Sequence, residues 1–271
     1  MKIETKIKAI ISDLDGTLLG SDHNISNYTK QVFQDLYQQG YLIIVATGRH
    51  HLDAIPLVAS LGFPIYLITS NGARIHAPDQ ELLFSFDIES DAIKSVLKLD
   101  IDPEITIVVF KEEVWQTNKY NEKLNSFQKE LNYAPELVDF NTVTDLKAIK
   151  MFFTHESHSK LVELRDRILV DHASMFSHAF SLPYCLEFMD ASVDKSAAIA
   201  KVLEIENCSF DQSISFGDGF NDENMLKATA VGLIMSNAPD SLKTKLSHLE
   251  VIDTNYNDGV ANYLAVNLLN K

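Results

Sequence analysis

Apolar positions in this chain fall into two alternating patterns. Lys6 to Ser12, with apolar Ile7 and Ala9 to Ile11, is a strand candidate. YLIIVA (41–46) is apolar throughout, which suits a strand of a parallel sheet covered on both faces, and IYLIT (65–69) supplies another buried strand. Between them Val32, Phe33, Leu36 and Tyr37 recur at helical spacing within 26–39, and Gly40 is placed to stop that helix. A second helical stretch covers about 51–60, ahead of Gly62 and Pro64. The rhythm returns toward the C-terminal side. Asp194 can cap a helix through KSAAIAKVLEI, SISF (213–216) reads as a short strand ending at Gly217, and NDENMLKAT reads as a helix. VGLIM is a predicted strand and GVANYLAVNLL a closing amphipathic helix. Such alternation predicts a three-layer α/β domain with a parallel sheet, built from both ends of the chain.

The middle has a different texture. Strands are predicted at ITIVVF, VWQT, AIKMFF and CLEFM, with helices at about 90–99, 121–130 and 157–168. Apolar and polar residues alternate more here, as in a sheet with a wetter face. The expected organisation is a core of 1–82 with 190–271 and an inserted α+β domain at 83–189.

Composition changes little in that picture. The 271 residues are 46% hydrophobic and 23% charged, ordinary for a globular protein able to bury a core. The net charge of −15, from 38 acidic and 23 basic residues, argues against a nucleic-acid surface, and KIETKIK is the densest basic interval. Cys185 and Cys208 form no scaffold and no metal-ligand pair, which fits a reducing compartment. MKIETKIKAII carries neither a signal-peptide pattern nor a membrane-spanning run, so the expected location is cytoplasmic, away from any membrane.

The candidate chemistry sits at predicted strand ends. Asp13-Leu14-Asp15-Gly16-Thr17, Thr47-Gly48-Arg49 and Gly217-Asp218-Gly219-Phe220-Asn221-Asp222 each follow a predicted strand, and Lys195 opens a predicted helix. In an open parallel sheet those ends share one edge, where ligands bind. Several carboxylates around one point repel unless a cation lies among them, and hard oxygen ligands suit Mg²⁺. Thr47, Lys195, Asn221 and the glycine-rich turns supply the hydroxyl, cationic, amide and backbone N–H donors that a phosphoryl group needs. A zinc site has little support: His50 and His51 are adjacent, and His155 and His158 lack an evident third ligand.

On those motifs the sequence resembles the haloacid dehalogenase superfamily of phosphatases, in its Cof-like sugar-phosphate phosphatase branch, across nearly its whole length. DLDGTLL, ATGR, VDKSAAI and SFGDGFNDENML are similar to the four motifs in order, with ITSNGA and NDGVANYL as further context. The long insert between the second and third motifs is similar to that branch's α/β cap. The resemblance implies Asp13 as nucleophile forming an aspartyl phosphate, and Asp15 as general acid and then base, its backbone carbonyl also a metal ligand. It implies Thr47 and Lys195 as phosphate-holding catalytic residues and Asp13, Asp15, Asp218 and Asp222 as the Mg²⁺ site. Asn221 would hydrogen-bond near the phosphoryl group, with Gly48, Arg49 and Asn71 also in the phosphate or substrate pocket. One departure is Ser196, where this branch often has glycine after the lysine.

The resemblance further implies a cap that closes over the core and sets substrate preference, with small phosphorylated metabolites as partners and no obligate protein partner. Phe180, Leu182, Tyr184 and Glu187 lie near the second hinge, and Glu187 could bind a sugar hydroxyl or pair with a lysine. A phosphosugar mutase and a non-catalytic phosphometabolite-binding module are the competing readings. A dehalogenase fits less well, because Asp15 and the carboxylates at 218 and 222 suit phosphate better than a carbon–halogen bond.

Overall fold

The computed structural model describes residues 7–120 and 135–269. The chain divides into two compact units, Met1–Phe84 with Asp194–Lys271, and Ser85–Val193. The sequence-based boundaries after 82 and 189 fall two and four residues short of these. The helix expected at about 121–130 lies outside the described residues.

The chain opens with β1 (Ala9–Ser12), α1 (Asn27–Gln38), β2 (Leu42–Ala46), α2 (His51–Ala59) and β3 (Tyr66–Thr69). Two strands absent from the sequence reading follow, β4 (Arg74–His76) and β5 (Leu82–Ser85). The insert then supplies α3 (Ser90–Leu97), β6 (Thr106–Phe110), β7 (Trp115–Thr117), β8 (Pro135–Leu137), β9 (Lys150–Thr154), α4 (His158–His172), β10 (Phe176–Leu182) and β11 (Cys185–Asp190). The return to the first unit brings α5 (Lys195–Ile205), β12 (Ser213–Gly217), α6 (Glu223–Ala228) and β13 (Val231–Met235). The chain closes with α7 (Asp240–Lys245), β14 (Glu250–Ile252) and α8 (Gly259–Leu264), which opens into a wider π turn over Ala265–Leu269.

In the first unit the described strands form one sheet in the order β14-β13-β12-β1-β2-β3-β4-β5. Every pairing from β14 to β3 is parallel, and β4 runs antiparallel to β3. Side chains alternate between faces, and both faces are buried. Ile10, Ile43, Val45, Ile214, Phe216 and Leu233 pack with Phe33 and Leu36 of α1, Ala54 and Val58 of α2, and Val260 and Leu264 of α8. The intervening Ile11, Ile44 and Ile68 are equally buried, on the face where α5 packs against β2 and β3 and α6 against β12 and β13. Helices on both faces of a largely parallel sheet make the α/β, three-layer arrangement that the sequence predicts.

One consequence positions the site. Because β1, β2, β3, β12 and β13 are parallel, their C-terminal ends lie along one edge, and Asp13, Thr47, Ser70, Asp218 and Ser236 are the residues next past those ends.

The second unit is an α+β domain with a sheet in the order β10-β11-β9-β6-β7-β8, antiparallel except for β7 with β8. Ile107, Val109, Met151, Phe153, Leu186 and Phe188 pack on one face against Ile93 and Val96 of α3 and Leu161, Leu164 and Ile168 of α4. Val108, Phe110, Trp115 and Phe152 form a separate apolar cluster on the opposite face. α4 extends past the expected end at 168 because His172, a polar residue at a core position, turns inward onto the Ile168 carbonyl. β10 escapes a periodicity reading because an exposed polar residue, His178, stands between the core-packed Phe176 and Phe180. Glu187 pairs with Lys150 at 3.2 Å, and both are largely buried. Phe180 packs against the unit's core, whereas Leu182 and Tyr184 are exposed. No helix among the described residues is long and apolar enough to cross a membrane.

Candidate active site

Asp194 fixes the start of α5. Its carboxylate accepts the Ala197 backbone N–H at 3.0 Å and an Asn224 amide N–H at 2.9 Å. The next residue, Lys195, is almost fully buried, and a cation there is opposed by the positive end of the helix dipole. Two carboxylates offset that cost: Lys195 Nζ lies 2.6 Å from Asp13 Oδ1 and 2.6 Å from Asp222 Oδ1. Burial alone would lower the lysine pKa, but the charges of Asp13 and Asp222 raise it above its ordinary value, so it stays an ammonium.

Asp13, Asp218 and Asp222 each bring one carboxylate oxygen within 4.8 Å of the others. Asp222 Oδ2 accepts the backbone N–H groups of Asp218 at 3.1 Å and Gly219 at 2.9 Å, which ties the loop after β12 to its own second carboxylate. Asp218 is held from elsewhere: Thr17 Oγ1 donates to its Oδ1 at 3.1 Å, and Asn237 Nδ2 lies 3.4 Å from its Oδ2. Gly16 adopts φ +72°, and a Cβ there would stand 2.2 Å from Asp218 Oδ2, so only glycine leaves room for the carboxylate.

One ammonium does not balance three carboxylates. Burial, and then Asp222, raises the Asp13 carboxyl well above the usual carboxylate range despite Lys195. Burial and Asp222 likewise push Asp218 up to about 6, against the Thr17 hydrogen bond and Lys195. An all-oxygen cluster with excess negative charge fits a hard divalent cation, with Asp13, Asp218 and Asp222 as the side chains able to hold it.

The remaining sequence candidates gather in neighbouring contacts. Arg49 grips Asp15 through both carboxylate oxygens, at 2.8 and 2.6 Å, and Asp15 is half-exposed. Asp15 thus turns its side chain toward Arg49 and lies outside the three-carboxylate group. Thr47 is fully buried, and its Oγ1 accepts the Arg49 backbone N–H at 3.0 Å. Ser70 and Asn71 both take positive φ, 48° and 58°, in the turn after β3. There Ser70 N–H donates to the Arg49 carbonyl and Asn71 N–H to the Thr47 carbonyl. The Asn71 side-chain oxygen accepts from Asn221 Nδ2 at 3.0 Å and would meet a Cβ on Gly48 at 3.2 Å. Strained backbone of this kind concentrates at functional sites. Asn237 escaped the sequence reading, and its signal is weak: a short polar residue two positions past a predicted strand end.

With this geometry the chain belongs to the haloacid dehalogenase-like hydrolases, whose sequence profile matches residues 10–264. A protein of Buchnera aphidicola subsp. Baizongia pistaciae, provisionally named a phosphatase, is 34% identical over 256 residues, 94% of this chain and 96% of its own length. The HMP-PP phosphatase of Cronobacter sakazakii is 32% identical over 252 residues, 93% of this chain and 92% of its own. The solved structure of a subclass IIB sugar phosphatase of the superfamily shares the fold, with a TM-score of 0.80 at 22% identity over 96% of this chain and 98% of that one. The chain is therefore a hydrolase of this family, among relatives named as phosphatases.

Proposed function

We propose that this chain is a Mg²⁺-dependent phosphatase that hydrolyses small phosphomonoesters, sugar phosphates foremost, through an aspartyl phosphate on Asp13. One observation carries the reading: Asp13 sits at the C-terminal end of β1 in a buried cluster with Asp218 and Asp222, one lysine bridging two of the three carboxylates.

A bound Mg²⁺ would supply charge neutralisation among these carboxylates and the substrate's phosphoryl oxygens. Asp13 attacks phosphorus, forming a P–O bond as the bond to the leaving oxygen breaks. The leaving oxygen takes that electron pair and a proton from the Asp15 carboxyl. Asp15, now a carboxylate, removes a proton from water as the water oxygen attacks phosphorus and the bond to Asp13 breaks, releasing phosphate. Arg49 holds both Asp15 carboxylate oxygens, so proton transfer at the leaving oxygen requires Asp15 to leave the guanidinium. Lys195 keeps Asp13 oriented and carries positive charge toward the transferring group, with Thr47, Asn221 and nearby backbone N–H groups as further donors. The insert, 85–193, sets substrate preference, and a content of only two cysteines accords with a cytoplasmic setting.

Phosphate release from a panel of sugar phosphates, p-nitrophenyl phosphate and HMP-PP, with Mg²⁺ and with EDTA, tests the reading. Wild type should turn over with Mg²⁺ only, and Asp13→Asn should lower kcat by about a thousandfold or more. A folded wild type releasing no more phosphate than Asp13→Asn across the panel would count against it. Phosphate exchange on a hexose bisphosphate without net release would indicate a mutase instead.

A further inference from the structure

Asn237 lies two residues past the end of β13, on the same sheet edge as Asp13 and Asp218. Its amide is fixed on several sides. Nδ2 donates to the Gly16 carbonyl at 2.8 Å and lies 3.4 Å from Asp218 Oδ2, while Oδ1 accepts the Asn255 backbone N–H at 3.2 Å. Asn255 is itself buried, and its side-chain amide donates to the Leu19 carbonyl at 2.7 Å. The chain runs from the turn after β1, through Asn237, to the loop ahead of α8.

The Asp218 carboxylate occupies a slot with three walls. Gly16 packs so close that any Cβ would collide with the carboxylate, Thr17 donates to one oxygen, and Asn237 faces the other. Asn237 also holds Gly16, and so fixes the wall and the carboxylate together. Thr17 and Gly16 come from the first motif and Asp218 from the last, more than 200 residues apart in sequence. A side chain that bonds both would set their spacing. Outer-shell partners of this kind orient a metal-binding carboxylate, and losing one typically costs about 10- to 100-fold in metal affinity or activity.

We propose that Asn237 is a positioning residue for the divalent cation: it holds the Asp218 carboxylate in its binding orientation and couples it to the loop bearing Asp13 and Asp15. This rests on the metal-dependent reading given above, in which Asp218 is a ligand. Asn237 acts through Asp218 and Gly16, the two groups its amide nitrogen faces.

The test measures Mn²⁺ binding to the full chain by the loss of the free Mn²⁺ electron paramagnetic resonance signal. Wild type, Asn237→Ala, Asn237→Ser and Asp218→Asn are compared, with melting of each protein in EDTA. Asn237→Ala should weaken Mn²⁺ affinity about 10- to 100-fold. The Mg²⁺ concentration for half-maximal activity should rise in parallel, while KM for p-nitrophenyl phosphate at saturating Mg²⁺ stays close to wild type. A role confined to folding would lower the melting temperature in EDTA and leave Mn²⁺ affinity unchanged, and that result overturns the proposal. If Asn237→Ala does not fold, Asn237→Ser is read by the same criteria, its shorter hydroxyl being unable to span both Gly16 and Asp218. The two readings fail differently. Wild type that binds no Mn²⁺ more tightly than Asp218→Asn removes the metal reading and this inference with it. Wild type that binds Mn²⁺ while Asn237→Ala binds it equally well removes this inference alone.

Discussion

At the residue scale Lys195 shows how charge is balanced in the interior. A buried ammonium is tolerated because two carboxylates lie 2.6 Å from it, and those carboxylates are tolerated because it is there. Replacing it by the similarly shaped methionine leaves Asp13 and Asp222 buried together without their counter-ion. In EDTA, urea unfolding of Lys195→Met should show a loss of about 3–5 kcal/mol, partly recovered in Lys195→Met with Asp13→Asn. Equal losses in the single and double variants would mean that the two residues are not coupled as the geometry indicates. Asp13, Lys195, Asp218 and Asp222 were legible in sequence because each stands at a strand or helix end whose pattern is local. The Arg49 grip on Asp15 and the position of Asn237 were not, since both depend on loops that only the strand order makes neighbours. Glu187 was open between two roles, and its pairing with Lys150 is a contact between strands that meet through register rather than spacing.

At the element scale, agreement follows the strength of local pattern. α5 and β13 match the predicted segments residue for residue, since continuous apolar runs and a capping aspartate are local signals. The helix predicted over NDENMLKAT is instead a 3₁₀ turn, Phe220–Asp222, followed by the shorter α6, because Asp222 bends back to cap Asp218 and Gly219. β4, β5, β8, β10 and β14 were not recognised; β4, β8 and β14 are only three residues long, and a strand that short carries too little periodicity to register. Gly232, inside β13, has a reason that packing supplies. A Cβ there would stand 2.0 Å from the Leu226 carbonyl of α6, so backbone meets backbone. Gly232→Ala should cost about 1–3 kcal/mol in urea unfolding, as overpacking against backbone does, and a stability equal to wild type would show that α6 moves freely.

For the whole molecule, the sheet edge concentrates negative charge in a chain already at −15. The sign of its pH dependence in EDTA follows from Asp218, whose pKa is about 6 when folded against 3.8 as the ordinary value. The folded state holds the proton more tightly, so this group's contribution is fully present below about 3.8 and is lost as pH rises through about 6. Wild type minus Asp218→Asn isolates it: the difference in melting temperature should move against wild type between pH 4 and pH 7. Added Mg²⁺ should raise the wild-type melting temperature strongly at pH 7 and little near pH 4.5, where the carboxylates bind protons instead. An equal Mg²⁺ effect at both pH values would contradict a carboxylate site.

The sequence by itself determined the alternation of strands and helices, the presence of a differently textured insert, and the residue types at the strand ends. Those properties are encoded in neighbouring residues, through apolar periodicity and capping. Tertiary structure alone decided which strand ends meet, that one lysine bridges two of three carboxylates, and that Asn237 joins the first loop to the last. Parallel pairing places residues about 200 positions apart side by side, and no local signal reports such a distance.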